Sequence, residues 1–306
     1  MAFETPHYQV TSQRLKAIIQ LMRLRQHVPF VLPLTLLGAL MAVYLNDVEL
    51  DWRLALIVLA NILGMSCAFI INDIEDSDDD AQDKHKRQQN AISSGLITKH
   101  AARIAFNTLA ALTLGLYALA GMWTFILGGS GLILAYLYSV HPYRFKARPG
   151  VDLLSHALGG GSLQVLISYF LYDHSPNQAW YLIAGMTTAS LYGQFYNQIQ
   201  DYDHDRKTGL KNTTILIGKS TATTFMYASI GITILCIWHS IRLGIFPHWL
   251  VIVIFAGGIA CSLFVWQTDM RGKPVGFLEA FQVPVLLVLN FTVLLWLSWE
   301  VGLLTL

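Results

Sequence analysis

The sequence predicts an all-α, polytopic membrane protein with nine transmembrane helices arranged around a cytoplasm-facing, Asp-rich cavity. Three observations carry that expectation. Of the 306 residues, 54% are hydrophobic and only 13% charged, at a mean hydropathy of +0.49, whereas soluble domains carry roughly 25% charged residues. So few charges cannot cover a hydrated surface, and the missing solvent is lipid. Long stretches also recur without any Asp, Glu, Lys or Arg, and the charges that remain gather between them. This pattern excludes a soluble enzyme, a disordered chain and a secreted disulfide scaffold. A formal net charge of +1 argues against a nucleic-acid partner, which needs a basic face to neutralise phosphates. Cys67, Cys236 and Cys261 lie inside apolar runs and read as small buried hydrophobes.

Taken in order, residues 1–27 form an amphipathic lead-in: Arg14, Lys16, Arg23 and Arg25 are interleaved with Leu15, Ile18, Ile19, Leu21 and Leu24. That pattern suits an interfacial helix rather than a cleavable signal. The runs free of charge are Val28 to Leu45, Leu54 to Asn72, Ile104 to Tyr143, Leu153 to Tyr172, His174 to Gln200, Ser220 to Ile241, Leu243 to Thr268 and Ala280 to Trp299. A bilayer-spanning helix takes about 20 residues. The Ile104 to Tyr143 run is twice that, with Gly121 near its middle, so it divides into two helices with a tight turn. The whole chain, residues 1–306, then reads as a single integral-membrane domain.

Orientation follows from the basic residues, because Lys and Arg accumulate in cytoplasmic loops. All of them except Arg53 and Arg242 fall in the amino-terminal segment or in loops after even-numbered spans. Those segments are expected to be cytoplasmic, in a plasma (inner) membrane.

The acidic residues are more unevenly distributed. Seven of the 19 lie between Asp73 and Asp83, and three more between Asp201 and Asp205. Asn72, Asp76 and Asp80 read N-x-x-x-D-x-x-x-D; Asn197, Asp201 and Asp205 repeat the pattern, each displaced by 125 residues. At this spacing a helix lines up an amide and two carboxylates on one face. Like charges so placed repel, which points to a bound cation. Hard oxygen ligands without His or Cys suit Mg²⁺, which shares its shell with waters and phosphate oxygens. Two such helix ends can hold a diphosphate through bridging metal, with Asn72, Asp76, Asp80, Asn197, Asp201 and Asp205 as the candidate ligands. Lys84, Arg87, Arg144, Lys146, Arg148, Arg206 and Lys207 are placed in sequence to neutralise the diphosphate.

At these residues the chain resembles the UbiA superfamily of intramembrane prenyltransferases. Asn72-Asp73-Ile74-Glu75-Asp76-Ser77-Asp78-Asp79-Asp80 matches the family's N-D-x-x-D-x-x-x-D, and Asp201 through Gly209 matches its second D-x-x-x-D-x-x-x-G element. The stretches Lys86 to Gly95 and Thr213 to Gly218 are similar to those that follow the two motifs, so the resemblance covers nearly the whole chain. It implies nine helices, a cytoplasmic site, and Mg²⁺-dependent transfer from an allylic prenyl diphosphate to an acceptor in the membrane. Members that use p-hydroxybenzoate carry Y-P-F-x-K after span 4. This chain has Tyr138-Ser139-Val140-His141-Pro142-Tyr143-Arg144-Phe145-Lys146, which looks more like branches acting on quinone precursors, chlorophyllides, polyol phosphates or carotenoids.

An allylic cation must be shielded from water, and aromatic faces stabilise it. Tyr138, Tyr192, Phe195 and Tyr196 lie near the motif-bearing ends of their spans, where packing and interfacial anchoring are the alternative roles. Asp152 and His156, one turn apart, are candidates to orient an acceptor or take its proton, or form a helix-start pair. Gly159, Gly160 and Gly161 leave room for a prenyl tail or allow close helix packing. Gln164, Gln194 and Gln282 need hydrogen-bond partners inside spans. Two rival readings stay open from the residues: a terpene cyclase using the same motifs, and a divalent-cation transporter, which would place carboxylates at mid-membrane.

Overall fold

The computed structural model describes residues 6–263, 266–269, 275–276 and 279–304. It is built from α-helices, with no β-strand among the described residues. Helix α1 (Pro6–Met22) leads into α2 (Leu24–Asn46). Rather than lying free on a membrane surface, α1 buries Ala17 and Leu21 against Ile70, Ile71 and Ile74 of α3 (Arg53–Asp80). Arg23, in the left-handed region at φ 50°, breaks the chain between α1 and α2. Its guanidinium reaches the fully buried Asp73 on α3, at 2.6 Å and 3.2 Å.

Two prolines sit inside α2. Pro33 has no N–H to offer the Pro29 carbonyl, one turn earlier. The Asn290 side chain of α14 (Gln282–Glu300) donates to that carbonyl at 2.7 Å, joining the last helix to the first span. Helix α3 has 28 residues, about 42 Å at 1.5 Å per residue. It therefore outruns the roughly 30 Å hydrocarbon core and carries the first acidic motif as a continuous helix.

After the short α4 (Lys84–Gln89), α5 (Lys99–Ala120) and α6 (Met122–Ser139) are joined by the single residue Gly121, at φ 155°. The expected division at Gly121 is thus found. The next span is broken: α7 (Val151–Ala157) passes through a π turn at Leu158–Ser162 into α8 (Leu163–Tyr169). Gly160 and Gly161 of this turn serve close packing, since a Cβ would lie 3.0 Å from Ser190 Oγ and 2.7 Å from the Met186 carbonyl oxygen, respectively. Helices α9 (Trp180–Gln200), α10 (Tyr202–Thr208), α11 (Thr213–Ile217), α12 (Lys219–Arg242) and α13 (His248–Leu263) complete the chain up to α14.

Helical segments overlie all the expected spans, but among the described residues only six helices have the length and apolar composition to cross a membrane. The shortfall has local causes. The span of α7 and α8 is interrupted, α13 has only 16 residues, and α9 carries Thr187, Thr188, Ser190, Gln194, Asn197 and Gln198 along 21 residues. The main core lies where α2, α3, α8, α9 and α14 meet, around Leu40, Met41, Ile57, Tyr169, Ile183 and Trp296. Outward-facing Leu119, Ile133, Leu235 and Ile252 stay exposed, as lipid contact requires. The fold is that of an integral membrane protein.

Candidate active site

Both acidic motifs lie at the same end of the bundle. Asn72, Asp76 and Asp80 share one stripe of α3. The second motif crosses a break: Asn197 lies in the last turn of α9, Asp201 is the junction, and Asp205 lies on α10. Helical spacing survives there, because the Asp201 N–H donates to the Asn197 carbonyl at 3.0 Å and the Asp205 N–H to the Asp201 carbonyl at 2.9 Å. Burial pushes the Asp205 carboxyl up to about 6; the nearby Lys86 ammonium and an Asn212 hydrogen bond oppose that, while the negative charges of Asp201 and Asp76 add to it. Asp76 on α3 and Asp205 on α10 therefore share one electrostatic field.

Lys146 is buried, and its ammonium donates to both Asp76 oxygens at 2.5 Å and to Asn72 Oδ1 at 2.9 Å. Arg144 approaches Asp76 at 3.3 Å and Asp79 at 3.4 Å, and it occupies the left-handed region at φ 37°. Non-glycine residues persist in that region when their surroundings hold them there. The Arg144 Nε is buried with no hydrogen-bond partner among the described residues, a donor suited to an anionic oxygen.

The other expected basic residues are arranged differently. Lys84, Arg87, Arg206 and Lys207 are exposed, and Arg148 turns away to donate to the Pro142 carbonyl at 3.2 Å. Lys86 was not singled out by sequence, yet it is half-buried and within electrostatic reach of Asp76, Asp80, Asp83 and Asp205. The Asp83 side chain caps α4, accepting from the His85 and Lys86 N–H groups at 2.9 Å. That cap sets the register of the short helix and so decides which of its three cations faces inward.

Among the aromatic candidates, Tyr138 is central. Its hydroxyl accepts from Gln194 at 2.9 Å, within the field of Asp76, Asp152 and Asp205. The other two tyrosines tie down neighbouring segments: Tyr192 accepts from Gln282 at 2.9 Å, and Tyr196 donates to Asp269 at 3.0 Å. Phe195 stacks on Phe225 with centroids 6.2 Å apart. Asp152 is 0% exposed, and both its oxygens are engaged. Gln198 Nε2 and the Thr213 N–H donate at 2.7 Å, the Leu153 N–H at 2.9 Å, and the Thr213 hydroxyl donates as well. Asp152 thus pins α7 to α9 and α11 instead of presenting an oxygen to a substrate. It is not bonded to His156, whose Nδ1 lies 3.2 Å from Ser190 Oγ.

Among the described residues no three carboxylate, imidazole or thiol groups converge into a metal cage. The donor set still fits Mg²⁺, because that ion takes one or two carboxylates and completes its shell with water and phosphate oxygens. Asp80 and Asp205 each have one oxygen without a protein donor among the described residues.

A helical membrane bundle carrying matched oxygen-ligand motifs at one end defines a class of intramembrane enzyme. The chain belongs to the UbiA prenyltransferase family, whose family model matches residues 31–282. It is 28% identical over 223 residues to the 4-hydroxybenzoate octaprenyltransferase of Azotobacter vinelandii, spanning 72% of each chain. A match of 31% identity over 147 residues to the 1,4-dihydroxy-2-naphthoate octaprenyltransferase of Bacillus subtilis spans 47% of each, about half the length of that relative. The solved structure of a UbiA homologue from Archaeoglobus fulgidus, bound to GPP and Mg²⁺, superposes with a TM-score of 0.71. That likeness, at 20% identity, covers 92% of this chain and 98% of the other. The expected family and helical membrane fold are thereby established.

Proposed function

We propose that the protein transfers a prenyl group from an allylic prenyl diphosphate to a small or lipophilic acceptor within the membrane, with Mg²⁺ as cofactor. The observation that carries this is the meeting of both acidic motifs in one electrostatic field with Lys86, Lys146 and Arg144. The acceptors named for the two curated relatives, 4-hydroxybenzoate and 1,4-dihydroxy-2-naphthoate, support an aromatic acceptor. They weigh against reading the departure from Y-P-F-x-K as a departure from such acceptors.

Asp76, Asp80, Asp201 and Asp205 would hold Mg²⁺, with Asn72 and Asn197 as ligands or orienting amides. The bound ion supplies Lewis-acid charge that stabilises the departing diphosphate. Lys146 and Arg144, paired with carboxylates, are positioned to shift to phosphate oxygens, and Lys86 faces the same space. In the reaction the allylic C–O bond breaks and its electron pair leaves with the diphosphate. A nucleophilic carbon of the acceptor then forms the new bond and loses its proton. Tyr138, held by Gln194, presents an aromatic ring beside the cationic carbon; Tyr192, Tyr196 and His156 line the approach, and Asp152 braces it. The gathering of Lys and Arg in the loops at this end supports a cytoplasmic site in a plasma membrane.

The test incubates purified protein in detergent with geranylgeranyl diphosphate and Mg²⁺, alone and then with each of the two aromatic acceptors. Asp76→Ala and Asp201→Ala serve as controls. Acceptor-dependent and metal-dependent product, lost in both variants, is the expected result. A cyclised hydrocarbon formed without acceptor would replace transfer by cyclisation.

A further inference from the structure

The last carboxylate of each motif is held in the same way by an asparagine outside it. Asn90 Nδ2 donates to Asp80 Oδ2 at 2.9 Å and to the Asp73 carbonyl at 2.8 Å, while its Oδ1 accepts from the Ile92 N–H at 3.0 Å. Asn212 Nδ2 donates to Asp205 Oδ2 at 2.8 Å, and its Oδ1 accepts from the Ile215 N–H at 2.8 Å. Both asparagines are buried, at 0% and 2% exposure. The motifs repeat at an offset of 125 residues, but the asparagines follow their aspartates by 10 and 7 residues. The shared geometry is therefore produced by folding, not copied with the motif.

The consequence lies in which oxygen stays available. Asp73 and Asp152 have both oxygens engaged by protein donors, and Asp76 is bridged by Lys146. Asp80 and Asp205 each give one oxygen to an amide and keep the other without a protein donor among the described residues. An amide donor fixes a carboxylate's rotation while leaving its charge in place, as groups behind metal ligands do. We infer that Asn90 and Asn212 are paired positioning residues that turn the free oxygen of Asp80 and of Asp205 toward the divalent cation and so set its affinity. This rests on the metal-diphosphate site proposed above.

The test measures Mn²⁺ binding to the full chain in detergent by the loss of the free-ion EPR signal, with inorganic diphosphate present. Melting of the metal-free protein is followed in parallel. Asn90→Ser and Asn212→Ser retain an oxygen able to cap the following turn but are too short to reach the carboxylate. Each is expected to weaken Mn²⁺ binding on the order of ten-fold with the metal-free melting midpoint unchanged. Wild-type affinity in both serine variants overturns the inference, as does a fall in affinity matched by a fall in the metal-free midpoint, which marks a purely structural role. Should Asn90→Ser fail to fold, Asn212→Ser decides the matter alone. If the wild-type protein does not bind Mn²⁺ with diphosphate, the site itself is misread; if it binds and the serine variants bind equally, only the positioning role falls.

Discussion

Lys86 shows how a single side chain is selected by its surroundings. Lys84, Lys86 and Arg87 are equivalent in composition, yet only Lys86 turns from α4 toward both motifs, because the Asp83 cap fixes where the helix starts. A charge-assisted contact to a phosphate contributes about 1.5–3 kcal/mol. Lys86→Met is therefore expected to raise KM for the prenyl diphosphate about ten-fold or more, while Lys84→Met leaves it within about two-fold; steady-state kinetics on both variants checks this. In the proposed metal site, Asp205 would supply the pH dependence. Burial raises its carboxyl to about 6, and metal ligation needs the ionised form. The proton thus competes with the cation below that pH. Divalent affinity should be flat at higher pH and fall by about ten-fold per unit once below about pH 6, as read from Mn²⁺ titrations across a buffer series.

Among the elements, α2 and α14 depend on each other through one amide. Pro33 leaves the Pro29 carbonyl without its helical donor, and Asn290 supplies one from 261 residues away. Interhelical hydrogen bonds of this kind average about 0.6 kcal/mol and reach about 1.7. Asn290→Ala should therefore destabilise the protein by about 1 kcal/mol without changing metal affinity, measured by unfolding in mixed micelles. The packing of α2 on α8 is more demanding. A Cβ on Gly38 would sit 2.1 Å from the Val165 carbonyl oxygen, so Gly38→Leu has to part the two helices. Loss of the folded monomer on size exclusion is the expected outcome. Asp152 works at the same scale, joining α7 to α9 and α11 through partners 46 and 61 residues distant.

For the whole molecule, the bundle gathers most of the described acidic and basic side chains at one end and leaves its flanks apolar. The proposed orientation puts that end in the cytoplasm, the side on which Lys and Arg accumulate. In intact cells a cysteine placed at exposed Lys84 should resist an impermeant maleimide, and one at exposed Ser175, at the other end, should react. The reverse pattern would invert the orientation. All three native cysteines are free and two are buried, so the background is low.

The sequence by itself determined the solvent, the helical architecture, the turn at Gly121 and the two motifs, because hydropathy and helical spacing are local quantities that read along the chain. It also put Asp76 near the end of a long helix, whereas the break between α9 and α10, which carries Asp205 beyond the span, was not legible in it. Folding decided the partnerships: Arg23 with Asp73, Lys146 with Asp76, Asn90 with Asp80, Asn212 with Asp205, and the closure of Asp152 by Thr213 and Gln198. Hydrogen bonds are short-ranged and directional. Which oxygen is occupied, and which remains for a cation, is therefore settled only when helices distant in sequence come to lie within about 3 Å of one another.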